Sequence, residues 1–302
     1  MRKKLFPAVL IMAFMCVSLC AKSRLSLDGK KVVFIGNSFI YYGGCVQDGN
    51  QRHLDEGMFY QICKSHGEHT EVYDCTYGGH YLRDFTKKCC LSQNLHKKVH
   101  HHCPGLGTYL LDSVPLNDID AVFLSEAGAD NKLFMDDVKA VMREFSNPKT
   151  KFYYLVHTYT YYRQHCNILN RLPELDRMGV TVVPWGEVAY DLTEGLARLK
   201  GSKFDYQPTT FIKNNGDRHH PNPLSGYLTA LMAYCALTGE SAVGQPYDFV
   251  EKVMPTKLFV AKHYKECGDT NYPQILASKQ EMRRLQKMVD KVLKKTKKQQ
   301  KQ

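Results

Sequence analysis

Five short apolar runs, spaced along the first two thirds of the chain, constrain its fold more than any other feature. They are Lys31–Ile35 (KVVFI), Thr70–Cys75 (TEVYDC), Ala121–Ser125 (AVFLS), Lys151–His157 (KFYYLVH) and Val180–Pro184 (VTVVP). Runs of this kind, apolar at successive positions and rich in β-branched and aromatic residues, suit parallel strands buried on both faces. Between and after them lie stretches with helical periodicity. Met135–Phe145 sets Val138, Val141, Met142 and Phe145 on one face; Leu169–Met178, Glu187–Leu199, the strongly apolar Leu224–Leu237 and Lys279–Lys294 follow. Alternating strands and helices predict a three-layer α/β/α domain around a doubly wound, five-stranded parallel sheet. At 302 residues and 43% hydrophobic, the chain can fill one large core. No internal repeat and no Pro/Ser-rich linker divides it. Residues 84–118 fit neither pattern and are expected to form an irregular insertion.

The first residues stand apart. Arg2, Lys3 and Lys4 precede an almost wholly apolar stretch, Leu5 to Leu19, and then Cys20 and Ala21. This is the pattern of a cleaved export signal over residues 1–21, which predicts an exported protein, secreted or periplasmic. The stretch is short for a membrane span, so no stable span is expected after cleavage. An uncleaved anchor and a lipid anchor on Cys20 are the alternatives; Leu19 stands where a lipoprotein peptidase takes a small residue. Of the net charge of +11, three positives belong to this leader and five to Lys294–Gln302, leaving about three on the body. A nucleic-acid-binding surface would need a basic stripe on the fold itself, so none is expected. The lysine-rich end reads as a solvated, frayed terminus. Nine of eleven cysteines follow the leader, five of them between Cys63 and Cys103. In an oxidising compartment that segment is where disulfides are expected, and an odd total leaves one thiol over.

Ligands of doubly wound sheets bind beyond the carboxyl ends of the strands, and most of the strand runs end in residues capable of chemistry. Gly36-Asn37-Ser38 directly follows the first. A nucleophilic serine needs an exposed hydroxyl on a tight strand-to-helix turn, beside backbone N–H groups that can receive an oxyanion. The second piece is Asp217-Arg218-His219-His220-Pro221-Asn222. Histidine accepts a hydroxyl proton at neutral pH, and a carboxylate fixes its tautomer and steadies the imidazolium. His219 competes with His220 for the role; His220 is preferred because Pro-Asn follows it.

Together these blocks resemble the SGNH or GDSL hydrolases. VVFIGNSFIYYGG is similar to that family's nucleophile block, and GDRHHPNPLSGYLTALMAY to its last block, Asp-x-x-His-Pro-Asn before a Gly-Tyr helix. The likeness runs from about residue 30 to about residue 245, specific at its two ends and loose between, and is nearest to exported bacterial members with Gly-Asn-Ser. It implies a flavodoxin-like sheet, a hydrolase domain over 28–275, and a C-terminal helix and basic tail over 276–302. It implies a catalytic triad of Ser38, Asp217 and His220, with no cofactor and no metal. The oxyanion would be received by the Ser38 amide, by Gly79 in Tyr77-Gly78-Gly79-His80, and by an Asn after the third strand. That third block departs from the family pattern. The family's Gly-x-Asn-Asp is replaced by Gly128-Ala129-Asp130-Asn131, so Asn131 must reach in or the donor is missing, at a cost of about 10²–10³ in turnover.

The resemblance points to a small-molecule or polysaccharide ester as substrate, with glycan deacetylation the leading expectation. Tyr41-Tyr42 and the aromatic stretch His157–Tyr162 offer either a sugar-stacking rim or half-buried packing. Two other readings compete with an esterase. The Cys89-Cys90, His96 and His100–Cys103 tract suggests a metal-binding module, although it lacks the Cys-x-x-Cys spacing of zinc sites. The altered third block suggests a catalytically degenerate glycan binder. Glu126, Asp130 and Asp48 do not show the spacing of a paired-carboxylate glycosidase. The oligomeric state is not encoded in any recognisable pattern.

Overall fold

The computed structural model describes residues 24–46, 57–87, 96–97, 116–126, 133–156, 170–212, 220–254 and 271–302. Six strands form one sheet: β1 (Lys31–Gly36), β2 (Glu71–Thr76), β3 (His96–Lys97), β4 (Ala121–Leu124), β5 (Lys151–Leu155) and β6 (Val180–Val183), in the order β3-β2-β1-β4-β5-β6. Five are parallel; β3 is a two-residue antiparallel strand on the outer edge of β2. Phe34 stands level with Asp74 on one side and Phe123 on the other, which fixes the register of the centre. The order reverses between β1 and β4, and that is where a crevice opens at the carboxyl ends of a doubly wound sheet.

Both faces of the sheet are covered, which is why the strand runs carry no polar alternation. Val32, Phe34, Ala121, Phe123, Tyr153, Leu155 and Val183 point into one core. That core is closed by α2 (Met58–Ser65), α6 (Trp185–Thr193), α7 (Pro223–Thr238) and α10 (Lys279–Gln300). Their strand neighbours Val33, Ile35, Val122, Leu124, Phe152 and Tyr154 point the other way. There α3 (Leu82–Lys87), α4 (Phe134–Arg143) and α5 (Leu172–Arg177) close a second core. Phe34, Phe59 and Phe123 pack within 6 Å of one another in the first core, Phe34 and Phe123 stacked at 4.7 Å. The remaining short helices are α1 (Ser38–Tyr41), α8 (Val250–Val253) and α9 (Tyr272–Ala277).

Helix α7 is buried along nearly its whole length, so its sequence is apolar on every side. Its ends are set locally: the Asn222 side chain accepts from the Ser225 N–H, Pro223 begins the first turn, and Gly239 leaves the last in the left-handed conformation (φ 79°). The fold also reaches beyond its expected boundaries. Upstream, Leu27 is buried and its N–H donates to Glu68 at 2.8 Å, while Arg24 bridges Glu68 and Glu240. Downstream, α10 packs through its apolar stripe. Met282, Leu285, Met288, Val289 and Val292 are buried in the first core.

The lysine-rich end departs from expectation. It is helical to Gln300 rather than frayed, because its other face carries Thr296 and Gln300, both buried. The Gln300 side chain accepts from the Val182 N–H at 3.2 Å and donates to the Val180 carbonyl at 3.0 Å. It thereby supplies β6 with the hydrogen bonds that a further strand would have made. The region 84–118 is likewise not wholly irregular, since it holds most of α3, the short β3 and a 3₁₀ turn at Leu116–Asp118.

Cysteine usage also differs from the disulfide expectation where it can be followed. Cys63 and Cys75, two of the five in the suspected segment, are buried thiols in no disulfide, as are Cys45 and Cys235. Each is packed among apolar side chains, where a small hydrophobe serves. Cys89, Cys90 and Cys103 lie outside the described residues, as do Cys166, Cys267 and the whole leader. Burial pushes the Cys63 thiol up to about 12 and those of Cys45 and Cys235 higher still, so little thiolate forms at neutral pH.

Two outcomes are expected. Native-state alkylation at pH 8, read by peptide mass spectrometry, should leave Cys45, Cys63 and Cys235 unmodified until denaturant is added; rapid native labelling would contradict their burial. Replacing Gln300 by Ala should lower the denaturant midpoint by an amount corresponding to about 1–3 kcal/mol, with the slope unchanged. An unaltered midpoint would show that the edge hydrogen bonds contribute nothing.

Candidate active site

The end of β1 is drawn tightly against the end of β4. A Cβ on Gly36 would lie 2.7 Å from the Ser125 carbonyl oxygen, so only glycine permits this approach. The chain then turns into α1. The Asn37 side chain accepts from the Phe39 N–H at 3.0 Å and so caps a helix whose first residue is Ser38. At that position the Ser38 N–H has no intrahelical acceptor. The residue is only 9% exposed.

The turn after β2 is tied to the same loop. The Tyr77 N–H donates to the Gly36 carbonyl at 2.8 Å, and the Asn37 amide reaches the His80 carbonyl at 3.4 Å. Between these tethers Gly79 adopts φ 72° at an exposed position of the turn closed by His80 N–H to Tyr77 O. Glu126, fully buried beyond β4, accepts from the Leu82 N–H at 3.3 Å and anchors α3, which begins just after this turn.

His220 arrives from the other end of the sequence. Its Nε2 lies 2.9 Å from the Ser38 Oγ, across 182 residues of chain. Five contacts hold it there. Pro221 bridges to Ile212, the Asn222 N–H donates to the Phe211 carbonyl, and the Asn222 amide donates to the Thr210 carbonyl at 2.8 Å. The Ser225 hydroxyl also donates to the Phe211 carbonyl. Finally, the first turn of α7 sits directly on the nucleophile loop. A Cβ on Gly226 would fall 1.9 Å from the Gly43 carbonyl oxygen, and one on Gly43, at φ 83°, would fall 2.4 Å from the Asn222 carbonyl oxygen. Two glycines therefore set the distance between the segments carrying Ser38 and His220.

Aromatic rings complete the surroundings. The His220 ring lies 4.1 Å from that of Tyr42 and 5.4 Å from that of Phe39, centroid to centroid. Tyr41 is buried and stacks on Tyr42 at 5.1 Å. Of the two roles open to the Tyr41-Tyr42 pair, the packing one fits, because Tyr42 has a ring neighbour in both Tyr41 and His220.

Among the residues singled out by sequence, Ser38 and His220 are brought into hydrogen-bond contact and Gly79 is held beside their loop. Asp217, Asn131, His219, Asp48, Asp130 and the stretch His157–Tyr162 lie outside the described residues. Glu126 is a buried structural carboxylate rather than a cleft residue. The contact between Gly43 and Gly226, the bonds of Asn222 to Thr210 and Phe211, and the approach of Tyr42 to His220 are not readable in the sequence; the paired glycines of YYGG and the Asn-Pro-x-Ser-Gly after His-Pro are their visible signals. Among the described residues no cluster of three or more His, Cys, Asp or Glu could hold a metal ion.

No family model matches the chain, and no curated protein matches it. A solved structure, a DUF4886 family protein from Bacteroides uniformis, is similar at a TM-score of 0.50 and 15% identity, covering 87% of this chain and 94% of that one. This likeness shows the fold alone. For the site, replacing Gly226 by Ala should destabilise the protein by about 1–3 kcal/mol or more, since Cβ and the Gly43 carbonyl cannot share that space. Thermal melting at an unchanged midpoint would refute the contact.

Proposed function

We propose that this chain is an exported serine ester hydrolase of the SGNH/GDSL kind, with Ser38 as nucleophile, His220 as general base and Asp217 as the carboxylate that orients it. The observation that carries the reading is the 2.9 Å separation of Ser38 Oγ and His220 Nε2. That distance is within hydrogen-bond reach of a nucleophile and its base. It joins residues from the two blocks whose sequence resembles the family, at the point where the strand order reverses.

The chemistry runs in two halves. His220 with an unprotonated Nε2 takes the Ser38 proton as Oγ attacks the ester carbonyl carbon. The negative charge that develops on the carbonyl oxygen is received by the Ser38 and Gly79 amides, either alone or with Asn131 reaching in as a third donor. His220 then gives its proton to the alcohol oxygen as the carbon–oxygen bond breaks. Water repeats the attack on the acyl-enzyme, again losing a proton to His220, and Ser38 is released. No step calls for a metal. Glycan deacetylation remains the leading substrate expectation, resting on the family likeness.

Turnover of p-nitrophenyl acetate should fall by at least about 10³-fold in Ser38→Ala and in His220→Ala, and the double variant should be no slower than either. Equal rates for wild type and Ser38→Ala would remove Ser38 from the mechanism. A fluorophosphonate probe should label Ser38 in the folded protein; absence of labelling would favour the degenerate glycan binder. Acetyl release from acetylated xylan or pectin, set against long-chain acyl esters, tests the substrate class, and a clear long-chain preference would overturn it.

A further inference from the structure

The structure assigns Tyr42 a positioning role: its ring fixes the plane of the His220 imidazole and stabilises the imidazolium formed when Ser38 gives up its proton. This rests on the hydrolase reading above and adds a residue to it. Tyr42 ends α1, and its N–H donates to the Ser38 carbonyl at 2.9 Å, so its backbone is tied to the nucleophile itself. The next residue, Gly43, is wedged against the Asn222 carbonyl and Gly226. With both neighbours fixed, the Tyr42 ring has little room to drift. Its centroid is 4.1 Å from that of His220 with the planes 38° apart, and Tyr41 stacks on it at 5.1 Å. Tyr41 is itself buried, its hydroxyl close to Gly78 in the turn after β2. Phe39 approaches the imidazole at 5.4 Å. Two rings from one four-residue segment, Phe39–Tyr42, thus lie against a base that arrives from 178 positions beyond Tyr42, and Tyr41 of the same segment stacks on the nearer of them.

Such a contact does more than pack. The face of an aromatic ring carries negative potential and attracts a cation, most strongly where water is excluded. Neutral imidazole gains little from it, whereas imidazolium gains more. The charge on His220 exists only while the Ser38 proton is held, so the ring favours the transition state over the resting state. Phenylalanine would keep this effect. Leucine and methionine would fill similar volume without a π face.

The test is the rate of inactivation by a fluorophosphonate probe as a function of pH, with labelling mapped to Ser38, for wild type, Tyr42→Phe, Tyr42→Leu and Tyr42→Met. Thermal midpoints identify which of the two aliphatic variants is folded and therefore compared. Among the groups packed on the imidazole are the Ser38 hydroxyl, the Phe39 ring and the Tyr42 phenol. Asp217 and His219 belong to the adjoining segment and are common to all four proteins, so differences between profiles isolate Tyr42. Removing a cation-stabilising ring lowers the pH at which His220 becomes neutral. The ascending limb should therefore move acidward by about half a unit in the aliphatic variant. The plateau rate constant should fall about tenfold with little change in probe affinity, and Tyr42→Phe should overlay wild type. An unmoved limb, with or without a slower plateau, would reduce Tyr42 to packing and overturn the proposal. A Tyr42→Phe variant as impaired as the aliphatic one would overturn it in favour of the hydroxyl. Absence of Ser38 labelling in wild type would overturn both this role and the hydrolase reading, whereas Ser38 labelling indifferent to residue 42 would overturn this role alone.

Discussion

The site depends on a backbone contact between two glycines. Gly43 and Gly226 touch where the nucleophile loop meets the first turn of α7, so closely that a methyl group on either would overlap a main-chain atom. Side-chain hydrogen bonds are individually modest and can be remade, whereas main-chain overlap cannot be relieved without separating the elements. The two segments with chemistry are joined at a stop that no rotamer change can shift. Asn222 extends this stop into the polypeptide before it, by caps and bonds to Phe211, Thr210 and Ser225. His220 is thereby a short, constrained distance from a fixed point, and Ser38 is equally close on the other side.

The surroundings follow from the same arrangement. Because the strand order reverses between β1 and β4, the helix after β1, α2, covers one face of the sheet and the helix after β4, α4, covers the other. The Gly36–Ser125 approach closes the floor of the crevice between the two strands. The buried Glu126 carboxylate, whose burial would be unfavourable without partners, accepts from the start of α3. The loops that carry Ser38 and Gly79 are thus tied to each other by hydrogen bonds to main-chain carbonyls, the condition under which dipoles act on a reacting group without first reorganising.

Much of this was legible in the residues. The central strands declared themselves because burial on both faces demands uninterrupted apolar runs, and KVVFI and AVFLS satisfy that demand. Ser38 and His220 were visible because each stands at a point where backbone chemistry changes abruptly, glycine before one and proline after the other. What escaped notice was of a different kind. A glycine conserves no chemistry of its own, so that Gly43 and Gly226 face each other is a fact about the path of the chain and not about either residue. Tyr42 was open to a rim or a packing role because its neighbours in sequence say nothing of an imidazole 178 positions away. The lysine-rich end was misread for the opposite reason: its charges dominate the composition, while the two buried residues that dock it, Thr296 and Gln300, are inconspicuous among them. The cysteines were read by compartment, but a thiol in a packed core answers first to volume, and Cys63 and Cys75 sit there as small apolar groups.

The bond from Gln300 to β6 has a consequence in time as well as in space. During synthesis the edge strand emerges about 120 residues before the side chain that seals it. Throughout that interval Val180 and Val182 present unpaired main-chain groups on an apolar strand, the kind of template on which another nascent chain can add a strand of its own. The closing contact spans 120 residues of chain, so its loop-closure entropy is met most readily once the rest of the core holds the two ends near each other. The finished sheet is protected at that edge, while the growing one is exposed there, and crowding of unfinished chains is the circumstance to which this architecture is most sensitive.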